Sequence, residues 1–460
     1  MADREKNKTG TFGPNADSKR TRSGELLRKK SSGVKRWQTA YPDRPSGSGK
    51  QAGKKPEQAA PAGEEGRKPT GPLCPYMKKC GGCAFIGEDY GETLKQKEAY
   101  VRRLLAPYVR LTGIVGMEEP YHYRNKIHRV VSYETEGRHE FHTAGIYAEG
   151  THKVVPVRRC LIEDRQADAI IADVLELAKA FKIRSYNEDT ESGLLRHILI
   201  RTAHTTGQIM LVLVLTSPVL PGKTHFIKAL VEKHPEITTV VININHKKTT
   251  MVLGEREQTV YGKGYIEDIL CGKKFRISSK SFYQINSLQT ERLYAQAIEY
   301  AHLTGHETVV DAYCGIGTIG IAAADRAKIV YGVELSGDAV RDAAANAKLN
   351  GVNRIRFFEN DAGDFLEKMA EERQKADVIF LDPPRSGSTE EFLASAVSVS
   401  PGRIIYISCG PESLARDLKW LTKHGYKARE AMAFDMFPWT EIRHTETVVL
   451  LTKQSVQKRA

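Results

Sequence analysis

Three residues in the C-terminal part of the chain carry chemistry suited to substitution at a carbon atom. Cys409 follows the apolar run Arg403–Ser408 and precedes Gly410 and Pro411. Asp382 ends the run Val378–Leu381 and is followed by Pro383, Pro384 and Arg385, while Glu446 comes after His444 and Thr445 and leads into an apolar run to Leu451. A cysteine sulfur can form a covalent intermediate that divides a difficult step into two easier ones, and a nearby carboxylate can take up a proton. Consecutive prolines fix φ and remove two donors, which stiffens the turn after Asp382. Singly these residues say little, because a lone cysteine is most often a small buried hydrophobe and a strand-end glutamate is most often solvated. Together they stand at the ends of strand-length runs, where open α/β sheets bind their ligands.

A neighbouring segment suits a cofactor. Val309-Val310-Asp311-Ala312 runs into Tyr313-Cys314-Gly315-Ile316-Gly317-Thr318-Ile319-Gly320, a strand, a glycine turn and the start of a helix. Gly315 and Gly317 permit a tight turn and close approach of a ligand. The run Ile329–Leu335 brings Glu334 to the end of a second strand, where a carboxylate can accept from both hydroxyls of a ribose, and Arg356–Asp361 brings an acid to the end of a third. The glycine spacing meets the pyrophosphate fingerprint only nominally. Asp311 ahead of the turn would repel a phosphate and suits the ammonium of an amino-acid moiety. Over roughly residues 278–453 the arrangement resembles the class I S-adenosylmethionine-dependent methyltransferases, and a dinucleotide oxidoreductase is the lesser reading. Arg385 stands where adenine N6-methyltransferases carry a base-stacking aromatic, which argues against an exocyclic amine as the acceptor.

Cys74, Cys80, Cys83 and Cys160 form a C-x5-C-x2-C-x76-C pattern. Four thiolates suit either a tetrahedral zinc ion or an iron–sulfur cluster, and spacing alone leaves both open. Cys314 and Cys271 read as packing residues. The segment Tyr121-His122-Tyr123-Arg124-Asn125-Lys126-Ile127-His128-Arg129 mixes aromatic and basic groups. That composition suits single-stranded RNA, with a charged strand edge as the plain alternative.

These residues need elements to position them. The 460 residues, 40% hydrophobic and 27% charged, are enough for two or three folded units. Residues 1–72 hold 17 Lys+Arg against 8 Asp+Glu, so most of the chain's net +13 lies in a Gly-, Ser-, Pro- and Lys-rich tail expected to be disordered. Such a tail suits contact with RNA phosphates or serves only solubility. Residues 73–275 are expected to form a central β-rich domain with strands near Ile127–Tyr133, Lys153–Val157, His197–Thr202, Gln208–Thr216, Thr238–Asn245 and Thr249–Leu253, and helices over Asp164–Lys182 and Lys223–Lys233. Residues 276–460 alternate helix and strand, which implies an α/β domain with a parallel sheet. The longest apolar run, Ile209–Leu215, is far short of a membrane span. A cytoplasmic monomer with no membrane partner is expected.

The thiol and the two carboxylates fit one reaction. C5 of uracil is a poor nucleophile until a thiolate adds at C6, and a base must afterwards remove the C5 proton so that the thiol can leave. At this point the chain resembles the RNA uracil-5-methyltransferase family, through Ser408-Cys409-Gly410-Pro411, His444-Thr445-Glu446, Phe282-Tyr283-Gln284-Ile285-Asn286 and Tyr123-Arg124-Asn125-Lys126. The resemblance implies Cys409 as nucleophile, Glu446 as base, and S-adenosylmethionine held by Gln284, Tyr313, Thr318, Glu334, Asp361 and Asp382. Thr318 and Asp361 stand where some relatives carry Asn. It also implies a 4Fe–4S cluster on the four cysteines, as in bacterial 23S rRNA enzymes of the family, so 23S rRNA is the expected substrate and tRNA the alternative. The small β-barrel that precedes many relatives has no counterpart in residues 1–72. Two other readings compete. A cytosine-5-methyltransferase would carry its cysteine directly after the proline of the fourth-strand motif, where this chain has Pro384 and Arg385. A non-catalytic RNA-binding module with a zinc clip would give Cys409, Glu446 and Asp382 no joint purpose.

Overall fold

The computed structural model describes residues 71–136, 139–249 and 251–454. The expected basic tail lies outside these residues apart from Gly71 and Pro72. The helix Tyr90–Leu105 starts at Asp89, whose side chain accepts from the Glu92 amide, and leads to β1 (Leu111–Val115). Next come β2 (Lys126–Glu136), β3 (His139–Tyr147), β4 (Val154–Pro156), β5 (Leu195–Thr202), β6 (Ile209–Leu215), β7 (Ile237–Ile244) and β8 (Arg256–Tyr261). These seven form one sheet in the order β4-β3-β2-β5-β6-β7-β8. Pairing is antiparallel throughout except between β6 and β7, which helix Lys223–Lys233 joins in parallel. Every residue of β5 and β6 is buried, as a strand covered on both faces requires. One face packs Ile127, Val131, Ile198, Ile200 and Leu211 with the helices Arg165–Ala180 and Lys223–Lys233.

The hairpin of β9 (Tyr265–Leu270) and β10 (Lys273–Ser278) follows, then the helix Ser287–Tyr300. Beyond it lie β11 (Thr308–Ala312), β12 (Ile329–Glu334), β13 (Ile355–Glu359), β14 (Val378–Leu381), β15 (Arg403–Ser408), β16 (Tyr426–Phe434) and β17 (Glu446–Lys453). The second sheet has the order β1-β16-β17-β15-β14-β11-β12-β13. β11 to β15 run parallel, and β17 is antiparallel to both β15 and β16. Met210, Val212, Val214 and Val241 of the first sheet share one core with Phe275, Tyr283, Leu293, Val309 and Phe380.

Two expectations change. The division at residue 275 puts β1 with the central sheet, yet β1 pairs in parallel with β16 and forms an edge of the second sheet. Its short run, Leu-Thr-Gly-Ile-Val, alternates too weakly to announce a strand. Of the strand expected at Thr249–Leu253, the described residues Met251–Leu253 form none, because the Asn245 side-chain amide donates to the carbonyls of Met251 and Val252 at 2.7 and 3.1 Å and holds them in a loop. Among the described residues, no helix is long and apolar enough to cross a membrane.

Candidate active site

β11 lies between β12 and β14, so the strand order reverses there and a crevice opens beyond the carboxyl ends. The loops after β11 to β14 meet at this crevice. Tyr313 takes φ +67° and Gly317 φ +83°. A bulky residue held in the left-handed region marks a turn fixed by its surroundings, and the Tyr313 ring rests against Phe392 with centroids 5.2 Å apart. Gly320 donates its N–H to Asp311 Oδ2 at 2.8 Å, and a Cβ on Gly320 would meet that same oxygen at 2.8 Å. Asp311 Oδ1 is buried with no hydrogen-bond partner. Burial pushes the Asp311 carboxyl up to about 7, the Gly320 N–H opposes, and Asp382 and Glu334 raise it further. An unsatisfied, desolvated carboxylate oxygen fits an ammonium.

Of the other expected cofactor residues, Thr318, Glu334, Asp361 and Asp382 stand at the carboxyl ends of β11 to β14 or in the segments that follow them, and Gln284 lies apart in sequence, ahead of helix Ser287–Tyr300. Glu334 ends β12 and accepts from Gly315 N at 3.2 Å and Ser336 N at 2.8 Å. Thr318 opens the short helix after the glycine turn, its hydroxyl 3.3 Å from that of Tyr294. Asp361 caps the helix Ala362–Glu371, accepting from the Gly363 and Asp364 amides at 2.8 and 3.2 Å. Gln284 is half-buried in the segment before helix Ser287–Tyr300, and its carbonyl accepts from Asn125 Nδ2 at 3.0 Å. Asp382 follows β14, and burial pushes its carboxyl up to about 7.

Register explains how Cys409 and Glu446 meet. β15 and β17 run antiparallel with Ser408 opposite Thr447, which sets the residue after β15 beside the first residue of β17. Burial pushes the Cys409 thiol up to about 12; Glu446 and Asp382 raise it further, and Arg385 opposes them. Glu446 is 4% exposed, unlike an ordinary strand-end glutamate. Burial, with a contribution from Asp382, pushes its carboxyl up to about 8 against the opposing Arg385. The helix Pro411–Lys423 starts two residues beyond Cys409, with Pro411 in its first turn, and so fixes the exit of the chain.

The loop ahead of Glu446 is anchored from several sides by residues that sequence reading missed. The buried Lys97 ammonium lies 2.7 Å from Asp435 Oδ1 and donates to the Phe437 carbonyl at 2.9 Å. Asn286 and Gln289 donate to the carbonyls of Met436 and Asp435. Trp439, at φ +70°, donates to the Pro120 carbonyl and accepts from the amides of Ala84 and Phe85. Nothing local in the sequence announces these long-range ties.

Cys74, Cys83 and Cys160 pack against a buried cluster that includes Trp439 and Ile86. Burial pushes the Cys83 thiol up to about 12, and the Cys160, Cys80 and Cys74 thiols add to it in that order. Arg124 acts on Cys83 and Arg129 on Cys160 in the opposite sense. Among the described residues, no group of three or more His, Cys, Asp or Glu side chains is arranged to hold a single metal ion.

The aromatic and basic segment from Tyr121 serves packing more than expected. Tyr121 stacks on Trp439 and buried Tyr123 donates to the Pro438 carbonyl. Arg129 is buried in a two-point pair with Glu163.

The model of a family described as tRNA (Uracil-5-)-methyltransferase matches residues 89–454. An uncharacterized RNA methyltransferase of Clostridium acetobutylicum is 42% identical over 397 residues, covering 85% of each chain. One from Halalkalibacterium halodurans is 40% identical over 383 residues, covering 82% of each. Among solved structures, the Pyrococcus abyssi tRNA (uracil-54, C5)-methyltransferase in complex with S-adenosyl-L-homocysteine is similar with a TM-score of 0.66 and 26% identity, over 81% of this chain and 86% of that one.

Proposed function

The chain belongs to the tRNA (uracil-5-)-methyltransferase family and is an S-adenosylmethionine-dependent RNA methyltransferase of the uracil-C5 type; on that premise we propose that Cys409 is its nucleophile and Glu446 its base. The supporting observation is the antiparallel pairing of β15 with β17, by which the two side chains meet beside Asp382 at the crevice. The Cys409 thiol gives up its proton to water, the resulting thiolate bonds to C6 of a uracil, and the C5–C6 electron pair moves towards O4 as an enolate. S-adenosylmethionine would supply an electrophilic methyl group to C5, its S–CH3 bond breaking to leave S-adenosylhomocysteine. Glu446 then removes the C5 proton, the C5–C6 double bond re-forms and the C6–S bond breaks. Asp311 would accept from the cofactor's ammonium and Glu334 from its ribose, and Gln284, Tyr313, Thr318, Asp361 and Asp382 would complete its seat. Attack at C6 requires the base to leave its stack.

RNA containing 5-fluorouridine tests the assignment, because fluorine at C5 cannot leave as a proton. A stable adduct through Cys409 is expected, and its formation by the Cys409→Ala variant would refute the reading. For the four cysteines we propose a 4Fe–4S cluster with a structural role. Support comes from the three other thiols acting on Cys83, with Arg124 acting on Cys83 and Arg129 on Cys160 to offset negative charge. Iron and sulfide analysis of anaerobically purified protein tests this, and zinc in their stead would overturn it.

The proposed substrate is 23S rRNA, on the strength of the cysteine pattern that resembles the rRNA enzymes. tRNA is the second reading, favoured by the likeness to the Pyrococcus abyssi enzyme. Mass-spectrometric mapping of 5-methyluridine in both RNAs from cells lacking the protein decides between them.

A further inference from the structure

The face of the central sheet turned towards the catalytic unit is divided in two. On β6 and β7 it presents Met210, Val212, Val214 and Val241, which enter the shared core. On β2 and β5 it presents bases. Lys126 pairs directly with Arg201, and His128 with Leu199. His197 lies opposite Val130, two residues further along each strand, so alternation puts Lys126, His128, His197 and Arg201 on one face. The rings of His128 and His197 lie 4.9 Å apart. Like charges directly opposite one another across an antiparallel pair are destabilising, and these are also desolvated. Arg201 is 3% and His197 6% exposed, while Lys126 and His128 are half-buried.

Unmet hydrogen-bonding capacity singles out this patch. His128 Nε2, His197 Nδ1 and Arg201 Nε are buried without a partner. Arg201 spends one donor on the Ser281 carbonyl. Among the described residues, no carboxylate pairs with any of the four; Arg129, on the opposite face, has Glu163 and Asp168. Burial and the neighbouring cations Arg201 and Arg124 lower Lys126 to about 8, and burial lowers His128 to about 4. The patch adjoins the segment of Gln284, one of the proposed cofactor residues. Asn125, next to Lys126, donates to the Gln284 carbonyl, and the Arg201 contact at Ser281 is three residues from Gln284.

We propose that Lys126, His128, His197 and Arg201 form a binding site for a phosphodiester of the RNA backbone near the target uridine. The inference rests on the reading of the chain as an RNA methyltransferase. A phosphate would accept from Lys126 Nζ, Arg201 Nε and the imidazole N–H groups, and would offset the repulsion across the β2–β5 pair. Charge-assisted bonds of this kind are roughly twice as strong as neutral ones.

The test compares wild type with Lys126→Met and His128→Gln, using a uridine-containing RNA oligonucleotide at several salt concentrations. Expected for Lys126→Met is about tenfold weaker binding at low salt and a log K against log salt slope reduced by about 1, the signature of one lost phosphate contact. Affinity for S-adenosylhomocysteine, measured alongside, reports that each variant is folded. Imidazole NMR of the wild type with inorganic phosphate provides a measurement that needs no variant, and the His128 and His197 signals are expected to shift together. Unchanged RNA affinity and salt slope in both variants, or imidazole signals indifferent to phosphate and RNA, would overturn the site. If uridine methylation persists while the site fails, the function stands. If phosphate binds while no uridine in any RNA is methylated, the function fails and the site stands.

Discussion

At the carboxyl rim of the eight-stranded sheet burial raises acids, Asp311 and Asp382 to about 7 and Glu446 to about 8, whereas on the central sheet it depresses bases, His128 to about 4, Lys126 to about 8 and Arg201 to about 10. The physics is one rule applied to opposite charges, since desolvation disfavours whichever form is ionised. Each region holds charge that the chain itself leaves uncompensated. On the proposed reading, a sulfonium with an amino-acid ammonium would compensate the rim and a phosphate the central patch. A third region shows the contrast. Lys97 and Asp435 are both 0% exposed and are paired with each other, so their charge is settled internally and supports the loop before Glu446.

The most damaging change to the rim is Cys409→Ala. Methylation of RNA is expected to fall by more than about 10⁴-fold, as for loss of a nucleophile that acts as part of a unit, with no adduct on 5-fluorouridine RNA by denaturing electrophoresis. Next is Glu446→Gln, for which turnover falls by about 10²–10⁴-fold. Here the covalent adduct accumulates on ordinary uridine, because addition and methyl transfer proceed and proton removal does not. A Glu446→Gln protein that turns over normally would assign the base elsewhere. In the wild type, adduct resolution rises with pH through about 8, since only the ionised carboxylate accepts the proton.

Lys97→Met probes the region whose charge is settled internally. Removing one member of a buried pair leaves the other uncompensated, at a cost of about 3–5 kcal/mol. The expected outcome is a large drop in urea midpoint, whereas changes at the rim act mainly on ligand affinity and rate. A midpoint within error of wild type would mean that Asp435 finds water or protonates at little cost.

The rim was legible in the sequence because its signals are local. A strand, a glycine turn and Asp311 fall within ten residues, and Asp382-Pro383-Pro384 and Cys409-Gly410-Pro411 each mark a strand end by themselves. Other features depend on pairing between distant segments. Glu446 is buried because β17 threads between β15 and β16, and its apolar run alone suggested only a solvated strand entrance. The patch on β2 and β5 exists only once register sets Lys126 against Arg201, 75 positions apart in sequence. Composition suggested RNA contact for the whole segment from Tyr121, but alternation sent Arg129 to the opposite face and tertiary packing consumed Tyr121 and Tyr123.

The smallest expected effect is on stability against pH, where the two regions pull in opposite directions. Asp311 and Asp382 bind more protons folded than unfolded between about 4 and about 7, and Glu446 does so up to about 8. Their contribution therefore falls as pH rises through that window. His128 is lowered from its ordinary 6.5 to about 4 and Lys126 from 10.5 to about 8. For these the unfolded chain binds more protons, so stability rises with pH from about 4 to 6.5 and again from about 8 to 10.5. Thermal melts of the ligand-free protein should accordingly lose less with pH in Asp311→Asn than in wild type between pH 5 and 7, while His128→Gln flattens the rise at the acid end. S-adenosylhomocysteine supplies an ammonium to Asp311 and should shrink the wild-type loss towards that of Asp311→Asn; short RNA should leave that slope unchanged. If both ligands changed the same slope equally, the two charged regions would not be the independent sites their geometry describes.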